Sequence, residues 1–340
     1  MTRPTVGATS TQRQLRSASS TPSACSSMER ISSDSGWSVS RPTSKTATVH
    51  AIWGEDDART REVAEKVSIP NVASSPEEAV ADASIVFVVS RHGGMHLDLA
   101  RVAINARKPV FVDKPFTVTP DDAREFVTLA EGAGVPMVSF STLRYGSDTV
   151  DFKRRMSEIG PVRYASYTGP AMRQNHYGGL IFYSIHTVEL MLHLHGIDVN
   201  SIYAIEHPAG VEKSNITATC SYNDGTLITL ALIGDGAYHF HKRAIGSEGV
   251  IDSSDDERDL SGNAASFGTA VGEAASKPST SMSRGMAADH YPNGVREAVQ
   301  VLRGERTSDI SPEQMIRVIQ VCNAIEESLN TGRAINPSEL

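Results

Sequence analysis

Between residues 49 and 139, apolar runs and amphipathic stretches alternate at short intervals. Val49-His50-Ala51-Ile52-Trp53 predicts a strand. Residues 58–67 follow with helical spacing, their apolar positions at Ala58, Val63, Ala64 and Val67. Ser75-Pro76-Glu77-Glu78 predicts a helix start: Ser as cap, Pro at the first position, acids in the first turn. Ile85-Val86-Phe87-Val88-Val89 is continuously apolar and mostly β-branched, as expected of a strand covered on both faces. A helix over 97–105, a strand at Pro109-Val110-Phe111-Val112, a helix from Thr119-Pro120-Asp121-Asp122 through Ala130 and a strand over 135–139 complete the series. This alternation predicts a parallel α/β sheet with helical crossovers.

The rhythm changes after about residue 150. A helix is expected over 151–159, closed by Gly160-Pro161, then an alternating strand over 162–167 and a helix over 180–195. Strand patterns follow at 201–206, 217–222, 226–233 and 238–245, with the hairpin signal Asn223-Asp224-Gly225 between two of them. These predict a second, largely antiparallel sheet. Residues 255–290 are rich in Ser, Gly and Ala and read as loop or poorly ordered. Residues 295–302 and 312–329 read as helices, with Gly332 as the stop of the last.

Composition adds three constraints. A chain of 340 residues with 39% hydrophobic content has room for two domains. Its net charge of −8 disfavours nucleic-acid and anionic-membrane partners, which repel it, and no apolar run approaches the length of a membrane span. Cys25, Cys220 and Cys322 stand far apart with no Cys-x-x-Cys or Cys/His cluster, so neither a disulfide framework nor a metal site is expected, and a cytoplasmic location fits. His193 and His195 are two apart on a helix and cannot form an i, i+4 metal pair. His239 and His241 share a strand face and are expected to pack.

The first 48 residues differ from the rest. They hold 6 basic and 2 acidic residues, 21 Ser or Thr and four Ile, Leu or Val, too little apolar surface for an ordinary domain start, and are expected to be disordered.

The sharpest chemical feature is Val110-Phe111-Val112-Asp113-Lys114-Pro115: a buried strand ending in an acid, a lysine and a proline. Ligands of open parallel sheets bind at the carboxyl ends of strands, where Lys114 stands. With Ile104-Asn105-Ala106-Arg107-Lys108 before it, this run resembles the glucose–fructose oxidoreductase/inositol dehydrogenase (Gfo/Idh/MocA) family, whose Glu-Lys-Pro hallmark reads here as Asp113-Lys114-Pro115. Leu143-Arg144-Tyr145, Gly160-Pro161-Val162, Gly178-Gly179 followed by His186 and Glu189, and Gly246-Ser247-Glu248-Gly249 extend the resemblance over roughly 49–254 and 291–335.

The resemblance implies a Rossmann-like dinucleotide-binding domain (49–147, with an atypical or missing first βα unit in the Ser/Thr-rich segment 1–48) and a C-terminal α+β domain (148–335) with a large, mostly antiparallel sheet. It implies an NAD(P)-dependent oxidoreductase acting on a sugar, cyclitol or related polyol, NAD slightly favoured over NADP, in a homodimer or homotetramer. Lys114 would polarise the substrate hydroxyl and His186 would take its proton. Glu55, Ser90, His96, Asp113, Lys114, Pro115 and Arg144 would contact the cofactor, and Tyr183 and Glu189 the substrate. The chain departs from the family pattern in two places: Phe182 stands where an Asp is usual, four residues before the histidine, and Arg91-His92-Gly93 replaces Thr-Pro-Asn. Either Tyr183 or Glu189 could supply the missing polar partner of His186.

A dinucleotide fold also needs a Gly-x-Gly-x-x-Gly turn after its first strand. Residues 1–48 contain only Gly7 and Gly36. A shifted reading frame, a genuine loss of cofactor binding and an organellar transit segment remain alternatives. The loss, with Phe182, also leaves open a non-catalytic binding or scaffold protein.

Overall fold

The computed structural model describes residues 47–253 and 287–340, together with the backbone of three short strands: β1 (Gln14–Ser19), β2 (Ile31–Ser32) and β3 (Ser38–Val39). The expectations for the remainder of 1–48 and for 255–286 lie outside the described residues.

From residue 48 the expected alternation forms one sheet. Its members are β4 (Thr48–Gly54), β5 (Asn71–Val72), β6 (Ile85–Val88), β7 (Val110–Val112) and β8 (Met137–Ser139). Helices α1 (Asp57–Val67), α2 (Pro76–Ala81), α3 (His96–Asn105) and α4 (Pro120–Ala133) connect them. The helix starts are set by short polar side chains: Ser75 Oγ accepts the Glu78 amide and Thr119 Oγ1 the Asp122 amide, each followed by a proline at the first helical position. Gly134, with φ of 64°, closes α4 in the left-handed conformation that glycine adopts without steric cost.

The sheet order is β5-β4-β1-β6-β7-β8. β4 and β5 are parallel, as are β6, β7 and β8. β1 takes the central place but runs antiparallel to both neighbours, pairing Leu15 with Trp53 on one side and with Val88 on the other. Val86, Val88, Val110 and Val112 have no accessible surface, which explains their unbroken apolar runs.

The second domain begins with α5 (Ser147–Met156). This helix stops three residues short of the expected end, and beyond it the Ile159 carbonyl accepts the Glu248 amide (2.9 Å). That sheet contains β9 (Val162–Pro170), β10 (Val199–His207), β11 (Asn215–Tyr222), β12 (Leu227–Ile233), β13 (His241–Gly246) and β14 (Val250–Asp252), in the order β10-β11-β12-β9-β13-β14. Every neighbouring pair is antiparallel except β9 and β12. The hairpin at Asn223-Asp224-Gly225 forms as expected, with Gly225 at φ of 87°. The strand expected from residue 238 begins only at His241, because Tyr238 and Phe240 pack instead against Leu143 and Leu190.

One face of this sheet is covered by α6 (Ile181–His195) and the last helix, and a further helix, α7 (His290–Leu302), packs beside residues 142–145. The last helix, α8 (Pro312–Thr331), is capped by Ser311 and closed by Gly332. The opposite face of the sheet leaves Tyr203, Ile205 and Leu227 exposed. Among the described residues, no helix is long and apolar enough to cross a membrane.

Candidate active site

The carboxyl ends of β6 and β7 carry two loops that are fastened to each other. The Lys114–Pro115 peptide is cis. His96, at the start of α3, is fully buried between the loops: Nδ1 lies 2.8 Å from the Pro115 carbonyl and Nε2 2.8 Å from the Ser90 carbonyl. Burial holds its pKa down, while these carbonyls and Asp113 pull the other way. Gly93 sits where a Cβ would stand 2.5 Å from Pro115 Cγ, so only glycine permits this approach. The sequence thus fixes the direction in which Lys114 leaves its strand.

Opposite stands α6. Gly178 (φ 126°) and Gly179 (φ 71°) form the turn before it, and a Cβ on Gly178 would press to 3.0 Å from Val118 Cγ1 on the loop after Pro115. That contact sets α6 beside the lysine loop. Lys114 Nζ lies 5.0 Å from the Phe182 ring centroid, and Arg91 Cζ lies 5.5 Å from the same ring and 4.3 Å from that of Tyr177. One turn further along α6, His186 Nδ1 meets Ser141 Oγ at 2.7 Å. Burial, then the positive charge of Lys114 and of His290, push the His186 pKa well below its ordinary value. Burial and Arg91 lower that of Lys114, opposed by Asp113.

A buried polar cluster supports this pair from behind. Glu189 Oε2 accepts the Ser141 amide (2.5 Å), and Arg144 Nη1 reaches Glu189 Oε1 at 3.3 Å. Arg144 also donates to His193 Nδ1 (2.8 Å) and stands 3.5 Å from Asp309. Burial raises the Glu189 pKa to about 7, against the pull of Arg144 and the Ser141 amide. A cavity with room for about one water lies between Lys114, Arg144 and Glu189.

Residues 30–140 match the model of an oxidoreductase family with an NAD-binding Rossmann fold, the Gfo/Idh/MocA family. Over those residues the chain is similar to that family. It is 38% identical to an uncharacterized oxidoreductase, YdgJ, of Escherichia coli over 96 residues, covering 27% of this chain and 28% of that protein. It is 29% identical to the scyllo-inositol 2-dehydrogenase (NAD(+)) of Bacillus subtilis over 158 residues, 42% of this chain and 45% of the relative. The chain therefore matches between about a quarter and a half of the length of these curated relatives. In fold it is similar to a scyllo-inositol dehydrogenase of Lactobacillus casei solved with bound NAD(H) and scyllo-inositol (TM-score 0.70, 17% identity, 85% of this chain and 91% of that one).

The carboxyl edge of this sheet is not uniform. At β6 and β7, the close approach at Gly93 and the buried His96 hold the loop backbone beside Lys114 in place. At the centre, β1 runs the wrong way: a strand antiparallel to its neighbours cannot deliver a glycine turn and a helix N-terminus to their carboxyl edge. The sequence of 1–48, with Gly7 and Gly36 alone, contains no such turn.

The residues expected at the site are distributed as follows. Lys114 and Tyr183 stand beside Phe182, whose ring lies 4.7 Å from that of Tyr183, and His186, one turn further along α6, feels the charge of Lys114. Asp113 and Pro115 belong to the lysine loop. Glu55 is exposed at the end of β4. Ser90 is buried, its hydroxyl donating to the His92 carbonyl. His96 turns both ring nitrogens to backbone carbonyls, so it braces loops. Arg144 and Glu189 are buried and bound to each other. The polar partner of His186 Nδ1 is Ser141, and Glu189 reaches His186 only through Ser141. Sequence reading missed Ser141, which is 45 positions from His186 and carries no local signal, and His290, whose Nδ1 meets Thr142 Oγ1 at 2.8 Å. His193 and His195 also lie apart in role, on Arg144 and the Tyr167 hydroxyl.

Proposed function

We propose that this cleft binds a secondary alcohol of a sugar, cyclitol or related polyol and takes its hydroxyl proton, as part of an NAD(P)-dependent oxidoreductase reaction. The observation that carries this reading is His186, buried, held at Nδ1 by Ser141 and near enough to Lys114 that burial and the lysine's charge push its pKa down. A lysine with a lowered pKa still donates a hydrogen bond to a substrate oxygen and stabilises the alkoxide that develops there. An imidazole held neutral is ready to accept a proton. In the tautomer with the proton on Nδ1, His186 donates to Ser141 Oγ and presents the Nε2 lone pair to the substrate proton. Glu189 holds the Ser141 amide, and Arg144 holds Glu189, so the base rests on a chain of buried contacts.

NAD(P), when bound, supplies the hydride acceptor or donor. Ser90, the Arg91–Gly93 backbone and Asp113–Pro115 would hold its nicotinamide end, and Glu55 would meet the adenosine ribose, favouring NAD by repelling a 2′-phosphate. The exposed Tyr203, Ile205 and Leu227 support a homodimer or homotetramer through the open sheet face, and the buried thiols Cys220 and Cys322 fit a reducing compartment such as the cytoplasm. The wrong-way central strand favours a second reading, a binding protein without turnover. A spectrophotometric screen of polyols with NAD and NADP separates the two. Reduced cofactor that depends on Lys114 and His186 supports the enzyme, and ligand binding without reduction by any polyol supports the binding protein.

A further inference from the structure

Lys114 follows β7 of the first sheet, and His186 stands on α6 of the second domain, so neither domain alone fixes the separation between them. The last helix, α8, packs against α4 of the first domain and against α6 and β10 of the second. Asn323, Glu326 and Asn330 fall at i, i+3 and i+7 of α8 and therefore share one face. Asn323 holds the lysine loop. Its Nδ2 donates to the Val118 carbonyl at 3.1 Å, four residues after Lys114, and to the Ile319 carbonyl of its own helix at 2.9 Å. Glu326 and Asn330 hold the segment that leads into α6. Arg173 Nε donates to Glu326 Oε1 at 2.9 Å and Nη2 to Asn330 Oδ1 at 2.5 Å, while Nη1 reaches Glu206 Oε2 on β10 at 2.7 Å. Three acceptors on two elements use all three nitrogens of one planar guanidinium, a geometry that a lysine cannot reproduce.

The path from Arg173 to α6 is short and tight. The Asn175 carbonyl accepts the Gly179 amide and its side-chain oxygen the Tyr177 amide, each at 2.7 Å. A Cβ on Gly179 would stand 3.2 Å from the Arg173 carbonyl. Gly178, in the same turn, abuts Val118. The contacts close a ring: Asn323 to Val118, Val118 to Gly178, and the turn through Arg173 back to Glu326.

We infer that α8 sets the separation of Lys114 and His186, with Asn323 and Arg173 as its positioning residues. The inference rests on the proposed reading of Lys114 and His186 as the groups that serve the substrate hydroxyl, and both positioning residues act through the segments they hold. A displacement of about 1 Å at reacting groups can cost on the order of a hundredfold in rate.

Hydrogen exchange of the full chain, read by mass spectrometry, tests the ring without any ligand. R173Q is expected to speed exchange by about tenfold over residues 116–119 as well as over 173–180, and N323A to do the same from the other end. R173K, which keeps the charge without the three-way fork, falls between, and thermal melts report whether each variant is folded. With a polyol that is turned over, either variant should lose about tenfold or more in kcat with KM within about threefold, and the double variant should lose no more than the worse single one. Faster exchange confined to the segment beside the substituted residue overturns the inference. So does acceleration spread evenly over the chain in all three variants, and so do kcat losses that simply multiply. If the wild type turns over no polyol, the reading beneath the inference falls, and the cross-effect in exchange still decides whether α8 sets the separation of the two side chains.

Discussion

The carboxyl edge of the first sheet has two unlike halves. From β6 to β8 the backbone is parallel, the strands are buried on both faces, and the loops are fastened by His96, Gly93 and the contact of Gly178 with Val118. At the centre, β1 runs against both neighbours and presents no glycine turn. In the proposed reading, the first half holds a hydroxyl and moves its proton. In the second, an antiparallel β1 cannot bring a turn and a helix N-terminus to the carboxyl edge of its neighbours, where a dinucleotide's phosphates are usually received. The proposed reading therefore separates a catalytic edge from a cofactor cradle within one sheet. The proton site depends on contacts between β7, α6 and residues 141–144, none of which involves β1.

The largest expected effect tests the intact half. Lys114→Ala and His186→Ala should each lower kcat/KM for an oxidised polyol by about 10²–10⁴-fold, the range for a positioned proton-transfer group. Steady-state kinetics with either variant at wild-type rate would break the comparison, because the ordered half would then have no chemical role.

Next comes the support behind the pair. Arg144→Ala leaves Glu189 buried without its cation and should destabilise the protein by roughly 3–5 kcal/mol, read from denaturant unfolding. An unchanged midpoint would show that the braced half is not braced by this cluster.

Ser141→Ala should cost about tenfold in kcat/KM with little change in stability, the scale of one hydrogen bond that orients the base. It sharpens the account because Ser141 touches His186 and not the substrate. In the pH profile, the acid limb of the wild type should lie below pH 6.5, since the His186 pKa is depressed and the base stays neutral there. A limb at or above 6.5 would contradict the placement of His186 among positive groups.

The smallest effect is on stability against pH. Glu189 titrates at about 7 in the folded protein against about 4.5 when exposed, so the folded state holds more protons between those values. Its contribution is therefore complete below about pH 4.5 and is lost as pH rises through 7, at a slope of up to about 1.4 kcal/mol per pH unit. Glu189→Gln should flatten that part of the unfolding curve, and an identical slope in the variant would reassign the titration.

The fold was largely legible in the sequence where local pattern decides structure. The β-branched runs at 85–89 and 110–112 could only be buried strands, and Ser75-Pro76, Thr119-Pro120 and Gly332 marked helix ends that form where expected. Boundaries failed where a long-range contact competes with the local one, as when Tyr238 and Phe240 leave their strand pattern for Leu143 and Leu190. At the site, Lys114 was visible because a strand end points it out. Glu189 was visible as an acid one turn after His186 but not in its role, since helical spacing cannot show that Ser141, from another element, comes between them. The wrong-way β1 has no signal of its own in the sequence beyond the glycines that 1–48 lacks.

The β6–β8 edge is proposed to work as a nicotinamide-dependent alcohol site although the central strand brings no phosphate turn. A fluorescence titration of the full chain with NADH and NADPH tests it most directly. Saturable binding, weak enough to need high-micromolar to millimolar cofactor and strengthened when a polyol ligand is present, is the predicted result. No saturation with either cofactor at millimolar concentration would contradict the claim.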